Sequence, residues 1–233
     1  MSELDRREHQ GAAISWLELP LRGAWAAWRT PAECVPSHGV DRYGQRYAYD
    51  FVRLDDELVQ PHRASPWRAA FGGVQARDFL AWEQPVLAPL AGDVVAVGEG
   101  WPDHLRVHQP WQALRERFWP ARPSGADWRP LVGNYLLLRS AVGYLLCAHL
   151  REGSLRLRVG DSVNPGDEMA AVGNSGQSSM PHLHLQLMDG PDLHQAGGRL
   201  CGFRRYERLS AGQWLPVRAG LPERLQQVRS LAV

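Results

Sequence analysis

Apolar and polar residues alternate with a period of two along most of this chain, the pattern of strands that bury one face. The runs are ISWLELPL (14–21), RYAYDFVRL (46–54), PVLAPLAGDVVAVG (85–98, broken at Pro89 to Gly92), NYLLLRS (134–140) and GYLLCAHL (143–150), followed by SLRLRV (154–159), EMAAVG (168–173) and HLHLQLM (182–188). The link Ser140 to Gly143 reads as a hairpin turn, and CGFRRYERLSAGQWLPVRAG, 201–220, as a C-terminal hairpin. The 17 prolines and 23 glycines fall mostly between these runs, as turn residues do. Two segments break the rhythm. Residues 55–84 read as loop with a short helix at VQARDFLAW, and residues 101–131 carry PWQALRERFW, with Trp111, Leu114 and Phe118 at helical spacing. The expected fold is all-β and antiparallel, with loop and short helical insertions.

Two stretches, PVLAPLAGDVVAVGEG and RVGDSVNPGDEMAAVGNSG, share a Gly–Asp turn followed by a Val/Ala strand that ends in glycine. They hint at duplication of one β unit, at a spacing too long for a solenoid.

Composition narrows the class. With 233 residues, 44% of them hydrophobic, the chain can bury a sizeable core. A formal charge of +1 and the lack of a basic stripe argue against a nucleic-acid partner. Three cysteines, Cys34, Cys147 and Cys201, do not make a disulfide framework. The first residues show no apolar stretch of signal-peptide length, and no run is long enough to span a bilayer, so the residues alone predict a soluble cytoplasmic protein. The ten tryptophans suit either an extended β core or an aromatic rim for peptides or glycans.

The chemistry concentrates in histidines. In 182–188, His182, His184 and Gln186 share one parity and Leu183, Leu185 and Leu187 the other, so a strand burying the leucines presents two imidazoles side by side. A catalytic zinc takes three protein ligands and leaves a position for water. VPSHGVDRYGQRYAYDFV, 35–52, offers further donors: His38 in a loop, and Asp50 in a strand on the face of Ala48 and Val52. An unpaired carboxylate buried there costs roughly several kcal/mol and asks for a cation; a surface-facing Asp is the plainer reading. His149 ends the strand LLCAHL on the parity of Leu145 and Cys147. A Cys147–His149 dyad is disfavoured, because i and i+2 side chains on a strand lie about 7 Å apart. His9, His62, His104, His108 and His194 read as exposed polar residues.

Taken in order, PSHGVDRYGQRYAYDFV, DFLAWEQPVLAPLAGDVVAVGEG, GNYLLLRS, YLLCAHLREGSLRLRVGDSVNPGDEMAAVGNSGQSS and PHLHLQ resemble the M23, or lysostaphin-type, zinc metallopeptidases that cut peptidoglycan cross-links. The resemblance spans about residues 33 to 190. It implies an antiparallel barrel-sandwich built from a duplicated hybrid motif. It also implies zinc ligands His38, Asp50 and His184, and catalytic histidines His149 and His182. A shorter His-to-Asp spacing, as in many members, would select Asp41; Asp50 is preferred because it lies in the strand. The organisation so expected is an N-terminal strand segment (1–32), a metallopeptidase domain (33–190, with insertions 55–84 and 101–131) and a C-terminal hairpin and tail (191–233), all packed as one body. The partner implied is a peptide or peptidoglycan, cleaved by a metal-activated water assisted by two histidines, without an HExxH glutamate. Such relatives act in the periplasm or outside the cell. A metal-binding but non-catalytic scaffold or activator, and a phosphocarrier-like module on the same β fold with His149 or His182 phosphorylated, are the alternatives. Oligomeric state is not legible.

Overall fold

The structure is a computed structural model that describes residues 13–55, 60–65, 67, 69, 72–108 and 127–231. The strand-rich expectation is met. In chain order the strands are β1 (Ser15–Glu18), β2 (Ala24–Arg29), β3 (Tyr49–Val52), β4 (Val74–Gln75), β5 (Pro85–Leu87), β6 (Gly92–Gly98), β7 (Arg106–Val107) and β8 (Asn134–Ser140). They continue as β9 (Gly143–Leu150), β10 (Ser162–Val163), β11 (Glu168–Ala171), β12 (Leu183–Met188), β13 (Gly198–Arg199), β14 (Cys201–Ser210), β15 (Gln213–Gly220) and β16 (Gln227–Ser230). The α-helix described, α1, is one turn long, Arg129–Val132.

One large sheet runs in the order β1-β14-β16-β2-β3-β12-β9-β8-β6-β10, with β13 on β12 and β15 on β14. Its pairs are antiparallel except β1 with β14. The path is open rather than closed into a barrel by hydrogen bonds among the described residues. The hairpin β8–β9 turns where Ser140 and Gly143 face each other, and the Ser140 hydroxyl donates to the Gly143 carbonyl at 2.8 Å. The hairpin β14–β15 is likewise formed.

The two Gly–Asp units pair with each other reciprocally. In the first unit β5 precedes Gly92–Asp93, which open β6; in the second, β10 precedes Gly166–Asp167 and β11 follows. β5 pairs with β11 and β6 with β10, so each unit's leading strand lies against the other's trailing strand. This exchange is the geometry of a duplicated unit.

Three parts of the chain differ in detail from the expectation. The short helix at VQARDFLAW is a three-residue 3-10 helix, Ala76–Asp78, that follows β4, which pairs with β7. SLRLRV forms no strand. It lies beside β11, where the Arg156 amide bonds the Met169 carbonyl, and Leu155 and Leu157 lean on the core. β2 and β16, which carry no long alternating run, are paired strands inside the sheet. The segment PWQALRERFW lies outside the described residues.

The sheet separates two kinds of packing. One face is the main core, where Tyr49, Phe51, Leu136, Leu138, Leu145, Cys147, Leu183, Leu185 and Leu187 meet, all essentially buried. Stripping one such leucine to alanine costs about 2–5 kcal/mol. The opposite face carries Ala26 and Val52 in one small cluster, and Leu137, Leu146, Ala148 and Met188 in another. The polar residues of β3 and β12 share that opposite face.

Candidate metal centre

β12 is a central strand, so it is flanked on both sides. His184 faces Asp50 of β3 on one side and Ala148 of β9 on the other. Alternation therefore puts the leucines of β12 in the core and His182, His184 and Gln186 on the opposite face, all nearly excluded from solvent. Tyr49 and Phe51 enter the core in the same way, which leaves Asp50 beside His184.

His38 arrives from the loop that precedes β3. The Ser37 amide bonds the Arg46 carbonyl and the Gly39 amide the Pro36 carbonyl, closing the loop over β12. Gly44 (φ 71°) lies against β12 so closely that a Cβ would sit 2.6 Å from the Met188 sulfur. The long His-to-Asp interval thus folds out and returns. Asp41 stays on its outside, exposed, in an ion pair with Arg46 at 2.6 Å. It is Asp50 that meets the histidines.

His149 reaches the cluster against its sequence parity, which aims it at the core with Leu145 and Cys147. Between Asn134 and Leu136 the β8–β9 register shifts: Leu136 faces Cys147, but Asn134 faces Leu150. One residue, Tyr135, thus opposes two, Ala148 and His149. Within this bulge His149 takes a left-handed backbone, φ 59°, which turns its ring towards the histidines of β12. Its ring centre is 4.8 Å from that of His182 and 5.8 Å from that of His184.

The loop Gly173–Gly176 holds His149 from behind. His149 Nδ1 bonds the Ser175 carbonyl at 2.9 Å, and the Ser175 hydroxyl donates to the Leu150 carbonyl at 2.7 Å. Gly176 (φ 70°) is required, because a Cβ there would lie 2.2 Å from the Gly133 nitrogen. Asp103 accepts the amides of Asn174 and Glu152, and His104 bonds the Gly176 carbonyl at 2.8 Å. His104 was expected to be a plain exposed residue; it is instead a brace of this loop. His62 also departs from that expectation, packing edge-on against Phe79. An HxH pattern gave no signal for either.

The donor set has a defined chemistry. Asp50 Oδ2 lies 3.0 Å from His38 Nε2, and Oδ1 lies 2.9 Å from His184 Nδ1 and 3.5 Å from His182 Nε2. Each imidazole has a second partner that fixes its proton. A carbonyl only accepts, so His149 and His182 carry their protons on Nδ1, bonded to the carbonyls of Ser175 and of Met180 (2.7 Å). The Ser37 hydroxyl spends its hydrogen on the Ala48 carbonyl at 2.8 Å and so accepts from His38 Nδ1 at 3.1 Å. The Gln186 amide nitrogen donates to the Tyr43 carbonyl at 2.7 Å, which orients its oxygen to accept from His184 Nε2 at 2.9 Å. The lone pairs of His38 Nε2, His182 Nε2 and His184 Nδ1 therefore point at a carboxylate. Acceptors crowded on an acceptor need a cation between them.

A proton on each ring would be one answer. Burial opposes it: it lowers the pKa of His38 although Asp50 pulls the other way, and it lowers that of His149 far more, with His182 and His184 adding to the effect. Burial also acts to raise Asp50; positive charge on His38 and His182 and protons shared from His182 and His184 would outweigh it and hold the carboxyl well below the usual range, and a bound cation supplies that same stabilisation where the facing nitrogens carry no proton. A carboxylate among imidazoles is a hard-and-borderline donor set suited to a divalent metal such as zinc. His38, Asp50 and His184 each offer one donor atom, and these atoms lie within 4.8 Å of one another, close enough to hold a metal ion together. Cys147 is not part of the site: it is buried in the core and its thiol is pushed up to about 12.

Comparison with known proteins bears on the same region. Residues 124–195 match Peptidase family M23. The endolysin 2638A of Staphylococcus phage 2638A is 37% identical over 76 residues, 29% of this chain, and the chain spans only 16% of that protein's length. The catalytic domain of the antimicrobial peptidase lysostaphin from Staphylococcus simulans superposes with a TM-score of 0.38 at 16% identity, covering 76% of this chain and 88% of the other. A zinc-containing peptidase from Vibrio cholerae gives 0.36 at 18% identity, over 80% of this chain and 39% of its own. The chain resembles Peptidase family M23, through the segment 124–195 in which His149, His182 and His184 lie.

Proposed function

We propose that the protein is a zinc-dependent metalloendopeptidase that hydrolyses peptide bonds, with peptidoglycan cross-links as the substrate. The observation that carries this reading is the orientation of the His38, His182 and His184 imidazoles, whose outer hydrogen bonds leave lone pairs converging on Asp50. The phage relative is named an endolysin, which supports the substrate class.

In this reading His38, Asp50 and His184 hold the zinc. Bound there, zinc supplies a Lewis acid and a water with a pKa near about 7. His149 and His182 each have Nδ1 tied to a backbone carbonyl, so each ring would exchange a proton at one defined atom, Nε2. One would accept the proton of the attacking water at Nε2 and return it to the leaving amine; the other, whose Nε2 carries no proton in this tautomer, would orient that water by accepting its second hydrogen. Their near-complete burial removes competing water from both atoms. The whole described chain acts as one unit, with the strands before His38 and after residue 190 completing the sheet that carries the site. Among the described residues no helix is long and apolar enough to cross a membrane; by resemblance, the place of action is the periplasm or the cell exterior.

The test is metal content and cleavage together. Purified protein should contain about one zinc and should cut cross-linked muropeptides, with His149→Ala and His182→Ala each keeping the metal and losing about 100-fold or more in kcat. Zinc without cleavage would turn the reading to a non-catalytic scaffold. Failure to bind zinc at all would remove the basis of the proposal.

A further inference from the structure

The rim of the site holds a fixed positive charge that the reaction just described does not use. Arg29 ends β2, and β2 pairs with β3 through a one-residue bulge: Ala26 faces Val52 and Ala27 faces Phe51, but Arg29, not Trp28, faces Asp50. A regular register would bring the indole of Trp28 over Asp50. The extra residue replaces it with a guanidinium, and bulges of this kind re-aim side chains beside functional sites.

The guanidinium is not consumed by Asp50. Its Nε lies 3.6 Å from Asp50 Oδ2, beyond hydrogen-bond range, and both carboxylate oxygens already have histidine partners. Its side chain is 46% exposed, against 10% for that of Asp50, so it stands at the mouth while the carboxylate lies at the floor. Among the described residues Arg29 makes no other ion pair, and it is the one guanidinium in contact with the cluster. Its Nη atoms form a planar fork that matches a carboxylate, and among the described residues they have no carboxylate within ion-pair distance other than Asp50.

We propose that Arg29 binds a carboxylate of the substrate, and that the preferred substrate is an anionic peptide whose free carboxyl lies on a residue flanking the scissile bond. The inference rests on the peptidase reading above and narrows its substrate. Reach sets the position. Arg29 touches Asp50, and one residue of extended peptide spans only about 3.3–3.6 Å. A group held by Arg29 therefore belongs to the residue at the bond or next to it.

The experiment compares a muropeptide dimer carrying free carboxyl groups with the same dimer after carbodiimide amidation, using zinc-loaded wild type, Arg29→Ala and Arg29→Lys. Wild type should favour the free-carboxyl dimer by about tenfold or more in kcat/KM, mainly through KM. Arg29→Ala should bring that ratio to about one, and Arg29→Lys, which keeps the charge and loses the fork, should fall between. An equal rate on the two dimers by wild type would overturn the proposal. So would an Arg29→Ala defect of the same factor on both, which would make Arg29 a positioning residue acting through Asp50. If wild type binds zinc but cleaves neither dimer, the peptidase reading fails separately. Calorimetric binding of the two dimers then carries the same comparison, and equal or absent binding overturns the role of Arg29.

Discussion

At the scale of single residues, the side chains that define this site are held by partners one step removed from it. Gln186 shows how. Its position on the HLHLQ parity is legible in the sequence, since it lies two residues from His184 on a strand. Its task is not, because that depends on the Tyr43 carbonyl, brought in by a loop far away in sequence, which orients the amide so that His184 must donate from Nε2. Replacing Gln186 by Leu keeps the volume and removes that acceptor. His184 is then free to place its proton on Nδ1, the atom that faces Asp50. Zinc affinity of Gln186→Leu should fall by about 10- to 100-fold, read by competition with a chelating indicator. Unchanged affinity would mean that the tautomer of His184 is set without Gln186. The same logic explains what was readable about Asp50 over Asp41. A strand aspartate between aromatic neighbours has nowhere to go but the opposite face, whereas a loop aspartate next to Arg42 and Arg46 finds an ion pair on the surface.

At the scale of elements, the strands with long apolar runs were legible because both or one of their faces are buried. β8, β9 and β12 fall where alternation puts them, and the turn Ser140–Gly143 joins the first two. What alternation does not reveal is where it is interrupted. His149 reads as a core-facing residue, and a bulge with a left-handed backbone brings it to the site. Nothing in LLCAHL marks this, since glycine, the usual resident of such a backbone, is absent. A non-glycine residue there stores roughly 1–2 kcal/mol. His149→Gly should consequently be more stable than His149→Ala by about 1 kcal/mol in denaturant unfolding, although glycine is ordinarily the weaker choice in a strand. Equal stability, or a more stable alanine variant, would show that the bulge relaxes once the imidazole is gone. The short strands β4, β7, β10 and β13 escaped notice for a different reason: two residues make no period, and their pairing is decided by what lies across from them.

At the scale of the whole molecule, the centre joins segments that are distant in sequence. His38 comes from a loop, Asp50 from β3, His149 from the end of β9, and His182 and His184 from the entry to and body of β12. The repeated Gly–Asp units were visible as a pattern; their reciprocal pairing, β5 with β11 and β6 with β10, is a tertiary fact that no single unit encodes. Because His38, Asp50 and His184 meet only in the folded chain, a metal held by them binds the native state and not the unfolded one, and must raise the melting temperature by mass action. At free zinc about 100 times its dissociation constant the gain is about 2.7 kcal/mol. For a chain of this size each kcal/mol moves Tm by about 2–4 °C, so the shift should be about 5–11 °C between chelator-treated and zinc-loaded protein. Asp50→Ala should abolish the shift, and Asp41→Ala, which removes only an exposed ion pair with Arg46, should keep it in full. A shift that survives Asp50→Ala and disappears in Asp41→Ala would move the metal out of the cluster beneath β12 and onto the loop outside it. In that case the convergence of imidazoles on Asp50 would have to be held together by protons, with stability that depends on pH rather than on zinc.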